Sequence, residues 1–112
     1  MARALEYIKA KYIQAMYGLA LVYLNLQEYT KALEIQQNIQ QIQPNNPEVY
    51  YNIACIYAKQ EKVDDSLDWF KQALDKGFNN WDLVRKDPDL ANIRETPYMT
   101  DLLESHLRIQ HK

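Results

Sequence analysis

The stretch Met16-Tyr17-Gly18-Leu19-Ala20-Leu21-Val22-Tyr23 decides the fold, because it returns 34 residues later as Tyr50-Tyr51-Asn52-Ile53-Ala54-Cys55-Ile56-Tyr57. Tyr57 falls on Tyr23, Ala54 on Ala20 and Ile53 on Leu19, and further along Leu67 falls on Leu33. One supersecondary unit is laid down twice, and repetition at this period marks a helix–turn–helix solenoid. Ala20 and Ala54 suit the point where a helix crosses its partner, since a small side chain lets two backbones approach. Tyr23 and Tyr57 lie one helical turn further on the same face. Ala32 and Ser66 are the matching small positions on the second helix of each pair. A single pair cannot bury its apolar face alone, so neighbouring units must stack.

Written out, the first unit is Met16-x-x-Leu19-Ala20-x-x-Tyr23, Ala32-x-x-x-Gln36 and Pro44. The second is Tyr50-x-x-Ile53-Ala54-x-x-Tyr57 and Ser66-x-x-x-Phe70, with Phe78 where the proline would stand. Over roughly residues 13–80 this resembles the tetratricopeptide repeat. Gln36 for the aromatic, Ser66 for the alanine and the missing second proline are departures from that pattern. The resemblance implies a short right-handed all-α solenoid: an N-terminal helical extension over 1–12, repeats over 13–46 and 47–80, and a C-terminal cap over 81–112.

Composition agrees with an all-α chain. The 112 residues suffice for one domain, and only two Gly and four Pro argue against a fold built on tight β turns. The formal net charge of -2 leaves no basic excess to neutralise phosphates, so nucleic acid is not an expected partner. A single Cys excludes an internal disulfide and a Cys-based metal set. Arg3, Lys9 and Lys11 ahead of the apolar run Ala15–Leu24 superficially imitate a signal peptide. That run is also the first helix of repeat one, lacks a small-x-small site after it and is too short to span a bilayer. No membrane association and a cytoplasmic location are expected.

Helix punctuation is clear along the chain. Residues 3–26 read as one helix, with Leu5, Ile8, Tyr12, Met16, Leu19 and Tyr23 at spacings of three and four. A second should run from Tyr29 to Ile42, and Pro44-Asn45-Asn46-Pro47 breaks the chain. Asn46 caps a third helix with Pro47 at its first position. A fourth runs from Val63 to Lys76, ended by Gly77 in a left-handed conformation. Asn80, Asp87 and Thr96 can each cap one of the short helices that follow, the last reaching about Ile109. The string Asp87-Pro88-Asp89-Leu90-x-x-Ile93-Arg94-x-x-Pro97-Tyr98 resembles a segment that closes tetratricopeptide arrays.

Chemistry-bearing groups are sparse. His106 and His111 are five apart, a spacing that does not align two ligands on a helix face, so no metal site is expected. Asp87 and Asp89 read as capping and first-turn charge. Cys55 lies mid-helix with no nearby base and reads as a small buried side chain. The glutamine-rich stretch Gln36–Gln43 is threaded by Ile35, Ile39 and Ile42, which makes it an amphipathic helix. No nucleophile–base pair or phosphate loop occurs, so neither catalysis nor a cofactor is expected.

In the family resembled, ligands lie against the first helix of each pair. The contacting positions fall on Gln14, Tyr17, Leu21, Leu24 and Asn25 in the first repeat and on Glu48, Tyr51, Cys55, Ala58 and Lys59 in the second. The cap adds Asp82 and Arg85. The strip is apolar and aromatic in the middle, with Lys59 and Arg85 open to an acidic residue at one end. A carboxylate clamp of the Lys/Asn/Arg kind is not expected: Asn52 matches one clamp position, but Tyr17 and Leu21 cannot donate as Lys and Asn do. The expected function is a non-enzymatic module that binds a peptide or partner helix in a concave groove. The alternatives are a structural, self-associating scaffold joined through the N-terminal helix or groove, and an accessory domain of a larger enzyme or sensor.

Overall fold

The computed structural model describes residues 2–110, with side chains described over residues 3–106. The elements are all helical: α1 Ala2–Asn25, α2 Tyr29–Ile42, α3 Pro47–Lys59, α4 Val63–Asp75, α5 Trp81–Lys86, a 3₁₀ turn Pro88–Leu90 running into α6 Ala91–Arg94, and α7 Pro97–Gln110. The 24-residue α1 enters the array as one long helix, and Leu5, Tyr7, Ile8 and Tyr12 on its first half stay more than half exposed.

The helix starts follow from the capping residues. Asn46 accepts from Glu48 N–H at 3.0 Å ahead of Pro47, and Asn80 accepts from Leu83 N–H at 3.2 Å. Asp87 accepts from Asp89 N–H at 3.0 Å ahead of Pro88. The 34-residue period is visible in the backbone itself. Gln27 and Glu61, at φ 61° and 63°, take the same left-handed conformation after α1 and after α3. Glu28 N–H donates to Tyr23 O at 2.8 Å, and Lys62 N–H donates to the equivalent Tyr57 O at 3.0 Å. Gly77, at φ 103°, turns the chain after α4.

Antiparallel neighbours form the layers: α1 on α2, α2 on α3, and α3 most extensively on α4. Ala20, Ala32, Ala54, Ser66 and Ala73 are all at most 2% exposed, the close approach that the small positions anticipate. Ser66 departs from alanine usefully, because its hydroxyl donates across the helix pair to Ala54 O at 2.7 Å. Phe70 fills the centre of the second pair. The 3₁₀ turn contacts α3, and α6 contacts both α3 and α4. Val84, Leu90, Ile93 and Met99 thereby join Phe70 and Ala73 in one apolar cluster, each 0% exposed. A radius of gyration of 15.2 Å exceeds the roughly 13 Å of a rounded chain this long, as a stacked array with a projecting first helix requires. None of the described helices is long and apolar enough to cross a membrane.

Candidate functional site

The first helix of each pair faces one side of the array. On that side α1, α3, α5 and the turn after it border a cleft of about 330 Å³. Tyr17, Leu21 and Leu24 of α1 line it, opposite Tyr51 and Cys55 of α3, with Leu83, Asp87 and Asp89 closing one end. Five of the twelve groove positions read from the sequence are brought together here. Gln14 lies further out, beside Tyr7, Lys11 and Tyr17 in a shallower depression, and Glu48 borders a second cleft with Tyr51 and Phe78. Asn25 lines neither cleft.

Lys59 and Arg85 each already face a carboxylate. Lys59 Nζ sits 3.6 Å from Asp89, and Arg85 donates to Asp82 at 3.1 Å. The second pairing follows from their i,i+3 spacing on α5. The first joins α3 to the 3₁₀ turn and is tertiary.

Packing holds the aromatic side chains of the cleft in place. Asn46, besides capping α3, donates its side-chain N–H to Tyr17 Oη at 3.0 Å, and burial raises the Tyr17 phenol above its ordinary value. Tyr51 lies face to face with Phe78, centroids 4.4 Å apart and planes 6° off parallel. The residue standing where the repeat pattern has proline therefore supplies the stacking partner. Tyr51 OH donates to Asp87 Oδ2 at 2.5 Å, and Cys55 Sγ approaches the same oxygen at 3.8 Å. Asp87 thus has two tasks. One carboxylate oxygen caps the 3₁₀ turn and the other receives the cleft-side groups of α3. Its backbone carbonyl accepts from Arg94 at 2.5 Å, which fixes the loop that carries it.

Burial foremost, then Cys55 and Asp87 beside the Tyr51 phenol and Asp87 and Asp89 beside the Cys55 thiol, pushes both groups well above their ordinary values. Burial and then Asp87 raise Asp89, against the opposing pull of Lys59. Ligating atoms of Cys55, Asp87 and Asp89 lie within 4.8 Å of one another. A cation held there would have to displace the thiol proton. His106 stacks on Trp81 with centroids 4.6 Å apart, while His111 lies outside the described residues.

Of the lining residues that escape a sequence reading as site residues, Asp87, Asp89 and Gln36 are the most informative. Capping alone accounts for Asp87 and Asp89 in the sequence, although an Asp directly after a short helix of the closing segment can serve both ends of its carboxylate. Gln36, at the aromatic slot of repeat one, is 4% exposed and lines the cleft where its counterpart Phe70 fills its own slot. The loss of an aromatic at a core position is the available signal.

The Tetratricopeptide repeat family profile matches residues 12–76. The chain is also similar to a chloroplastic protein of Arabidopsis thaliana, at 31% identity over 80 residues, 69% of this chain and 24% of that protein. It therefore spans about a quarter of the length of that relative. No solved structure matches it. The repeat signature, the paired helices in 34-residue register and the profile match agree, and the chain belongs to the tetratricopeptide repeat family, whose members serve chiefly as non-enzymatic protein-interaction modules.

Proposed function

We propose that the chain binds an extended or helical peptide segment of a partner protein in the cleft between α1 and α3. One observation carries this reading: Tyr17, Leu21 and Leu24 from the first repeat and Tyr51 and Cys55 from the second converge on one cleft. Leu21 is 57% exposed there and Leu83 40%, apolar surface of the kind that partners cover. Residues 81–112 act on this reading as the closing unit of the array, and no residue acts on a reacting group. Randomised peptides selected by display against the chain, with the bound site mapped by backbone NMR shifts, test it. Shifts centred on Tyr17, Leu21 and Tyr51, with Tyr17→Ala weakening binding by at least about 1 kcal/mol, are expected. Shifts confined to the outer helices around Gln37 and Gln40 refute it.

A second reading has its own observation. Leu5 at 70%, Tyr7 at 65% and Ile8 at 62% exposure give α1 an apolar face with no partner among the described residues. A scaffold that self-associates through this face would sediment as a dimer or larger. Ile8→Lys would return it to a monomer, whereas the groove reading leaves it monomeric throughout.

A further inference from the structure

Every polar side chain of the cleft that carries a charge is an acid. Asp87 and Asp89 line it, and no Lys, Arg or His does. Lys59 pairs with Asp89 at 3.6 Å with its side chain 39% exposed, and the Arg94 guanidinium is spent on the backbone carbonyls of Val84 and Asp87. An independent feature points the same way. Gln36 lines the same cleft, is 4% exposed, and its Oε1 is buried without a hydrogen-bond partner among the described residues. A buried acceptor left unmade is costly, so a donor that reaches it is favoured. The walls are apolar: Leu21, Leu24, Ile56 and Leu83. The volume of about 330 Å³ is at the small end of ligand pockets, suited to one long side chain and its flanks rather than to a whole helix.

Apolar walls with two carboxylates at one end match a side chain with an aliphatic stem and a donor-rich cationic head. We infer that the cleft is a subsite for a Lys or Arg side chain of the bound peptide, its stem against Leu21, Leu24 and Leu83 and its head toward Asp87, Asp89 and Gln36. This inference rests on the groove reading and reverses its expected polarity: the peptide brings the cation and the protein the anions. The mutual repulsion of Asp87 and Asp89, which already raises Asp89, is relieved when that head arrives.

The selected peptides themselves provide the test, followed by titration against protein variants that spare the capping Asp87. Peptides whose shifts map to the cleft should share a Lys or Arg, and replacing it by norleucine should weaken binding about five- to tenfold. Asp89→Asn should weaken it about three- to tenfold, and Lys59→Gln, by freeing Asp89, should tighten it about two- to fivefold. Gln36→Leu should weaken binding at least about threefold without lowering the melting temperature, a combination that structural damage does not give. Binding should also fall as salt rises. Cleft-bound peptides without a basic residue, or indifference to both Asp89→Asn and Lys59→Gln, overturn the subsite and leave the groove standing. Peptides that map elsewhere, or no binders at all, remove the groove and the subsite together.

Discussion

Tyr51→Phe deletes one oxygen and leaves everything else that Tyr51 does. The ring keeps its stack on Phe78 at 4.4 Å and its contact with Phe70 at 6.5 Å. What disappears is the 2.5 Å donor to Asp87 Oδ2, leaving that oxygen only the weak thiol contact at 3.8 Å. Hydrogen bonds to a charged group contribute about 1.5–3 kcal/mol, and Tyr51 is 4% exposed, so water cannot readily replace the lost donor. The expected loss is therefore about 1.5–3 kcal/mol, or roughly 5–12 °C of melting temperature for a domain of this size. Chemical and thermal unfolding followed by far-UV circular dichroism measure it. Asp87→Asn and the double variant complete a cycle whose coupling energy should reach about 1 kcal/mol or more. A Tyr51→Phe protein within about 0.5 kcal/mol of the parent, with no coupling to Asp87, would refute the claim that this bond ties α3 to the closing segment.

Three other outcomes follow from the same packing. Ala54→Leu should cost about 1–3 kcal/mol, because Ala54 is 0% exposed beneath Ser66; an unchanged urea midpoint would contradict the helix register. A chain ended at Asn80 loses Val84, Leu90, Ile93 and Met99, all 0% exposed, and should aggregate or melt early; a soluble monomer of full helicity in sedimentation and circular dichroism would deny the segment its closing role. Alkaline pH should destabilise the fold. Cys55 and Tyr51 have raised folded values, so above their ordinary values of 9.0 and 10.0 the unfolded chain releases protons that the folded chain retains. Stability is complete below pH 9.0 and then falls by about 1.4 kcal/mol per pH unit for each group. Cys55→Ala should flatten the first part of that fall, and a urea midpoint that stays level through the window would contradict it.

The helices are legible in the sequence because their boundaries are chemical. Asn46-Pro47, Gly77, Asp87-Pro88 and Thr96-Pro97 announce starts and stops through local bonding that needs no tertiary partner. The paired small residues disclose the stacking, since Ala20 and Ala54 only make sense where backbones meet. What stays hidden joins distant positions. Tyr51 and Asp87 are 36 residues apart, and nothing in a capping motif says that its second carboxylate oxygen will serve another helix. Lys59 reads as available because Asp89 reaches it only through the turn that folds the chain back over α3. Ser66 and Phe78 read as mere departures from the repeat pattern. In the folded chain one bonds across the helix pair and the other stacks on the cleft tyrosine.

Gln27 and Glu61 sit in a conformation that disfavours every residue with a Cβ, at the turns where α1 and α3 end. Gly77 occupies such a conformation without that penalty. The left-handed state costs an L-residue about 1–2 kcal/mol, against about 0.5–1 kcal/mol of extra chain freedom that glycine must surrender on folding. The protein therefore carries slack at two surface positions away from its cleft. Glycine at each would raise the melting point and leave the recognition surface untouched, so the stability of this array was never pushed to its ceiling.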